Sequence, residues 1–222
     1  MRRAQQSGKS VVLPARSSSH DRILQAAKSL FAGKGYDNTS TVAIARLAGT
    51  SESQVMKHFG SKEGLLEALF EKSWQTINWS VQRAIDGLES PVDKFNALVD
   101  LTLTALAKDE ELRTLLLLEG RRIRKDGHMI LLDQAFLEYV RMTDGILRQM
   151  QDGGPLRSDV KVETIRSALM GAIEGLLRDQ LLAERVNFPA PHNARQIREV
   201  FRLLIASFTP ASASPAGGKA HP

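Results

Sequence analysis

Residues 40–60, Ser-Thr-Val-Ala-Ile-Ala-Arg-Leu-Ala-Gly-Thr-Ser-Glu-Ser-Gln-Val-Met-Lys-His-Phe-Gly, decide how this chain is read. They hold two short helix patterns with a stop between them. Thr39 or Ser40 can cap the first, which carries Val42, Ile44, Ala45 and Ala48 and ends at Gly49. Ser51 caps the second, which runs to about Phe59 before Gly60 breaks it. A tight Gly-containing turn between two short helices is the layout of a helix-turn-helix. Ala45 and Ala48 are small enough to let the helices touch, while Val55 and Phe59, four apart, supply an apolar inner face. Glu52, Ser53, Gln54, Lys57 and His58 remain for the outer face, which must be polar to enter a major groove.

N-terminal to this stretch, Ile23, Ala26, Ala27, Leu30 and Phe31 recur at three- and four-residue spacing and predict a helix over about 21–33. Residues 1–18 have no sustained periodicity and are expected to form a flexible basic arm, with Arg2, Arg3, Lys9 and Arg16 available to DNA. C-terminal to it, helical patterns are expected at about 62–88, 92–107, 110–125, 128–150, 159–185 and 193–208. The Pro/Ala/Gly/Ser-rich residues 209–222 are expected to be a disordered tail. The expected fold is all-α with about nine helices. A three-helix unit over 19–62 precedes a larger helical unit over 63–208.

Charge supports the division. Residues 1–60 hold nine Lys/Arg against three acids, so the chain's whole positive surplus of +5 lies in that end. Such a surplus suits a polyanionic partner, although a basic tail that aids solubility gives the same count. The absence of cysteine excludes disulfides, thiolate metal sites and a cysteine nucleophile. No apolar run approaches the eighteen or so residues of a membrane span, and no signal-peptide core follows Arg2 and Arg3, so a cytoplasmic protein without a membrane partner is expected. The five histidines lack metal-ligand spacing, and no phosphate loop or catalytic set is visible. No metal, no cofactor and no enzymatic activity are expected.

The chain resembles the TetR family of bacterial repressors. The resemblance rests on Ile23 to Phe31, Gly33 to Ser40, Ile44 to Ser51 and Val55 to Leu66, including the run His58-Phe59-Gly60-Ser61-Lys62-Glu63. It implies that the third helix reads double-stranded DNA. Ser51 starts that helix, Glu52, Ser53, Gln54 and Met56 occupy base-facing places, and Thr39, Ser40, Lys57, His58 and Lys62 face phosphates. Gln suits adenine, and Lys and hydroxyls suit phosphate oxygens. Bland readings stand beside these. Gln54 with Ser51 also fits a capping box, His58 fits a packing residue, and Lys57 fits a solvated charge. The chain departs from the family where Met56 replaces a usual Tyr and Val42 a frequent basic residue, and Glu52 brings negative charge toward DNA.

The resemblance further implies a homodimer through the last two helices. Their apolar stripes include Ile165, Leu169, Ile173 and Leu176 on one helix and Phe201, Leu204, Ile205 and Phe208 on the other. Core packing within one chain is the alternative. It implies too that a small-molecule effector is enclosed by the middle helices, with Trp74 and Asn78 on the pocket wall. These expectations describe a repressor released from a pseudo-palindromic operator by its ligand. The rival is a helical ligand-binding or interaction protein that keeps the fold with weakened operator recognition.

Overall fold

Short polar side chains start most of the helices. In the computed structural model, which describes residues 18–120, 133–186, 188–189 and 193–209, Ser18 accepts from the Asp21 amide and opens α1 (Ser19–Lys34). Ser40 opens α2 (Thr41–Ala48) and Ser51 opens α3 (Glu52–Phe59) in the same way. α4 (Lys62–Ile85) follows, and Ser90 with Pro91 at the first helical position sets α5 (Pro91–Lys108). Asp109 both ends α5 and caps α6 (Glu110–Leu118). Asp133 caps α7 (Gln134–Asp152), α8 spans Val162–Val186, and Asn193 with Gln196 forms a capping box on α9 (Ala194–Ser207). Among the described residues there are nine helices and no strand.

Two compact units divide the chain, one through Phe70 and one from Glu71 onward. The boundary therefore falls inside α4, eight residues beyond the expected one. In the first unit α2 packs on α1 and α3. Ile23, Ala27, Phe31, Ile44, Ala48 and Val55 are buried there. In the second unit α5 packs on α6, α7 and α9, and α8 packs on α6, α7 and α9. Leu98, Leu147, Met150, Leu156 and Ile165 are almost fully enclosed. No helix among the described residues is long and apolar enough to cross a membrane.

Several helix ends differ from expectation. α4 stops at Ile85 rather than 88. α7 begins at Gln134 behind its Asp133 cap, and the expected start near 128 lies outside the described residues. α6 stops at Leu118 rather than near 125, because the amides of Glu119 and Gly120 both return to the Leu115 carbonyl and close the last turn. α8 begins at Val162 rather than 159. The Gln151 side chain donates to the carbonyls of Arg157 and Val160, and Arg157 pairs with Asp159, which holds the preceding segment in a non-helical loop. The expected basic arm and the tail beyond Thr209 lie outside the described residues.

The association stripe also needs correction. Ile165, Leu169 and Phe201 are buried within this one chain, as core of the second unit. A helix in contact with three neighbours has little apolar surface to leave over, so its strongest stripe turns inward. Ile173 faces the interior cavity described below. Leu176, Leu204, Ile205 and Phe208 are partly exposed, and Leu203, absent from the expected set, is 63% exposed.

Substitution Leu147→Ala in the second unit is expected to lower the unfolding free energy by roughly 2–5 kcal/mol in urea titration. Gly49→Ala is expected to cost about 1 kcal/mol by the same measurement, because Gly49 sits at φ 65°, ψ 42°, where a Cβ is strained.

Candidate nucleic-acid interface and effector cavity

The turn between α2 and α3 is fixed by its own backbone. The Gly49 amide returns to Ala45 and Arg46 carbonyls, the Thr50 amide to Ala45, and Arg22 Nε reaches across from α1 to the Ala48 carbonyl at 3.1 Å. Val55 is buried completely, which turns the opposite side of α3 to solvent. On that side Glu52, Ser53, Gln54, Met56, Lys57 and His58 are all exposed. Helical spacing thus brings the six expected α3 residues onto one accessible surface.

Each of those side chains has its own constraint. Glu52 accepts a hydrogen bond from the Thr41 hydroxyl of α2, so the carboxylate is held across the helix pair. Ser51 and Ser53 share a hydroxyl contact of 2.9 Å, while Ser51 also accepts from the Gln54 amide. The return bond from the Gln54 side chain that would complete a capping box is not formed, in contrast to Asn193 and Gln196 in α9. Gln54 remains exposed. His58 Nε2 lies 3.2 Å from the Ser19 hydroxyl and meets the His20 ring edge-on at 5.8 Å. His58 therefore joins α3 to the start of α1 as well as facing solvent. Ser40 is exposed but engaged as the α2 cap.

Two residues expected to face phosphates point the other way. Thr39 is buried, and its hydroxyl donates to the carbonyls of Leu30 and Gly35, closing the end of α1. Lys62 donates from Nζ to the carbonyls of Tyr36 at 3.0 Å and Thr39 at 3.1 Å, and sits 4.3 Å from the Tyr36 ring centre. These contacts engage the ammonium inside the first unit. Tyr36 and Thr41, which organise Lys62 and Glu52, were not singled out from the sequence. Neither carries a local signal, because each acts on a residue eleven or more positions away.

The second unit holds a partly open cavity of about 110 Å³. Its wall is apolar for the most part, with Phe95, Leu98, Leu106, Leu169, Met170 and Leu177. Trp74 lines it too and packs against Phe136 and Tyr139, with ring centres 5.0 and 4.9 Å away. Tyr139 and Thr102 share a buried hydroxyl contact of 3.0 Å, and burial pushes the Tyr139 phenol up to about 12, so it stays neutral. Two arginines line the cavity. Arg166 donates to the buried Asp144 at 2.7 Å, and Arg113 donates to both oxygens of Glu184 at 3.2 and 3.1 Å. Asn78 does not line the cavity; its side-chain amide donates to the Ala135 carbonyl and fastens α4 to α7. Of the two expected wall residues, only Trp74 is there.

Comparison with known proteins matches this architecture along its length. A family model described as "Bacterial regulatory proteins, tetR family" matches residues 23–69, and one described as "YsiA-like protein, C-terminal region" matches residues 70–207. The chain belongs to the TetR family. It is a DNA-binding transcription regulator of the TetR type. The "Fatty acid metabolism regulator protein" of Bacillus subtilis (strain 168) is 23% identical over 153 residues, 69% of this chain and 78% of that protein. The crystal structure of FadR from Bacillus subtilis in complex with stearoyl-CoA is similar at TM-score 0.71 and 20% identity, covering 84% of this chain and 98% of that one. The structure of AibR in complex with isovaleryl coenzyme A and operator DNA is similar at TM-score 0.65 and 18% identity, covering 85% and 99%. At these identities the two structures establish a shared fold.

Within this TetR-family chain the roles of Lys57 and Lys62 separate experimentally. Lys62→Met is expected to destabilise the first unit by about 1–2 kcal/mol in thermal or urea unfolding, since two carbonyl acceptors and a ring lose their cation. Lys57→Ala is expected to leave stability within about 0.5 kcal/mol. A Lys62→Met protein as stable as the parent would contradict the clamp.

Proposed function

We propose that the protein is a ligand-controlled repressor that binds a pseudo-palindromic operator as a homodimer and leaves it when a small acyl compound enters the second unit. The observation that carries this reading is the pairing, in one chain, of an exposed polar α3 face with a partly open, mostly apolar cavity. A wall with few polar groups suits a ligand that is mostly hydrocarbon. The similar structures in complex with stearoyl-CoA and with isovaleryl coenzyme A support an acyl-CoA thioester as effector. A volume of about 110 Å³ is on the scale of the roughly 150 Å³ cavity that admits benzene, which favours a short or branched acyl group.

On the DNA side, in this reading, Gln54 pairs with adenine, Glu52 accepts from a cytosine amino group, and the exposed Met56 meets a thymine methyl. Lys57 supplies charge to phosphate. Dimerisation joins the outward sides of α8 and α9. There Leu203, Leu204 and Leu176 offer apolar area, and Gly171 and Gly175 leave open space for close approach. α4 belongs to both units, so a ligand that displaces Trp74 acts on the same helix that Lys62 anchors.

Exposed Val42 and Met56 favour a second reading, a ligand-binding protein with weakened operator recognition. Gel-shift and footprinting on DNA flanking the gene separate the two. The repressor reading expects a protected site, affinity that falls steeply with salt, and release by micromolar short-chain acyl-CoA. Binding without sequence preference would leave only the second reading. Gln54→Ala is expected to cost about 1–3 kcal/mol and to relax preference at one base pair of each half-site.

A further inference from the structure

The two cavity arginines are neutralised to different degrees. Arg166 and Asp144 are buried together, with side chains 19% and 10% exposed, so the pair is matched. Arg113 is 5% exposed, whereas the acid it pairs with, Glu184, is 46% exposed. The carboxylate is about half solvated and the guanidinium is not. Both hydrogen bonds to Glu184 leave from Nη2, and the buried Nε has no acceptor. A buried cation with a donor left over and a counter-charge that remains half in solvent is only partly compensated for its desolvation. Glu174, the acidic residue on the wall, is paired with Arg178 at 2.8 Å and does not supply the missing acceptor. Trp74 adds a second buried donor, Nε1, that has no acceptor either. The unmatched polar atoms on the cavity residues are thus donors.

Resting on the ligand-controlled reading above, we propose that Arg113 is the polar anchor of the effector, donating to an acyl oxygen whose hydrocarbon part fills the cavity. A free carboxylate and a thioester carbonyl present the same acceptor, and a guanidinium favours both over a cationic amphiphile. The polarity of the site therefore selects acyl compounds against amines of equal length. Glu184 is a competitor for the same guanidinium.

The test uses the full chain carrying Trp79→Phe, which leaves buried Trp74 as its sole tryptophan, titrated by fluorescence with hexanoyl-CoA, hexanoate and hexylamine. At least one acyl compound is expected to bind ten-fold or more tightly than hexylamine. The tighter of the two acyl probes identifies the source of the oxygen. Arg113→Met is expected to lose at least ten-fold in acyl affinity with hexylamine unchanged, and Glu184→Gln to gain several-fold by freeing the guanidinium. If Arg113→Met does not fold by circular dichroism, Glu184→Gln decides alone. Acyl affinity unchanged in the folded Arg113→Met protein, weakened or unchanged in Glu184→Gln, or absent in the parent overturns the proposal. Operator release keeps the two readings apart. Release of Arg113→Met by hexanoyl-CoA at the parent's concentration overturns the anchor and leaves the repressor standing. A parent without a specific DNA site removes the repressor while the titration still decides the anchor.

Discussion

The ammonium of Lys62 ties the start of α4 to the turn between α1 and α2. Nζ is held by the carbonyls of Tyr36 and Thr39, two groups that the turn between α1 and α2 leaves without helical partners, and by the face of the Tyr36 ring. The same turn is closed from inside by the Thr39 hydroxyl on Leu30 and Gly35. One cation and one hydroxyl therefore satisfy the carbonyls of Gly35, Tyr36 and Thr39 in the segment that precedes α2 and α3. With that segment fixed, Val55 can sink fully into the unit and the polar side of α3 is forced outward.

Much of the fold was legible because helix starts are written locally. Ser40, Ser51 and Ser90 each bond an amide three residues on, a relation visible in sequence without knowing the rest of the chain, whereas the same relation at Ser18 and Asp133 was missed. Helix ends were less legible. α6 ends early because two amides converge on the Leu115 carbonyl, and the start of α8 is delayed by the Gln151 side chain reaching forward over six and nine residues. The boundary between units is hidden altogether, since α4 runs through it without a break in periodicity.

The candidate site was legible where a helix carried it. Period 3.6 with one buried anchor fixes the face of every residue on α3, so Glu52, Ser53, Gln54, Met56, Lys57 and His58 emerge together. It was not legible for Thr39, in a turn without periodicity, or for Lys62, whose long stem folds back from a helix start. The α8 and α9 stripes misled for the opposite reason. A strong apolar period says that a face is buried but not by what, and for Ile165, Leu169 and Phe201 the burying partner is the chain itself. The buried charge of Arg113 has no sequence signature, because its neighbour Glu184 is 71 residues away.

The composition of the cavity bears on how a ligand could switch such a protein. Moving a two-state equilibrium from 1:99 to 99:1 takes about 5.5 kcal/mol of differential binding. A hydrocarbon group of about five carbons, the scale that this cavity admits, yields roughly 4 kcal/mol even when it is fully transferred from water at ~0.8 kcal/mol per methylene. Apolar contact alone therefore falls short in a cavity this small, and enlarging it would weaken the core that keeps Leu98, Leu147 and Ile165 dry. A charge-assisted hydrogen bond adds roughly 1.5–3 kcal/mol, which brings the total to the required size. A small apolar chamber becomes an adequate switch only with a polar contact made in one state and not in the other, and the incompletely neutralised guanidinium of Arg113 is the group on its wall with that capacity.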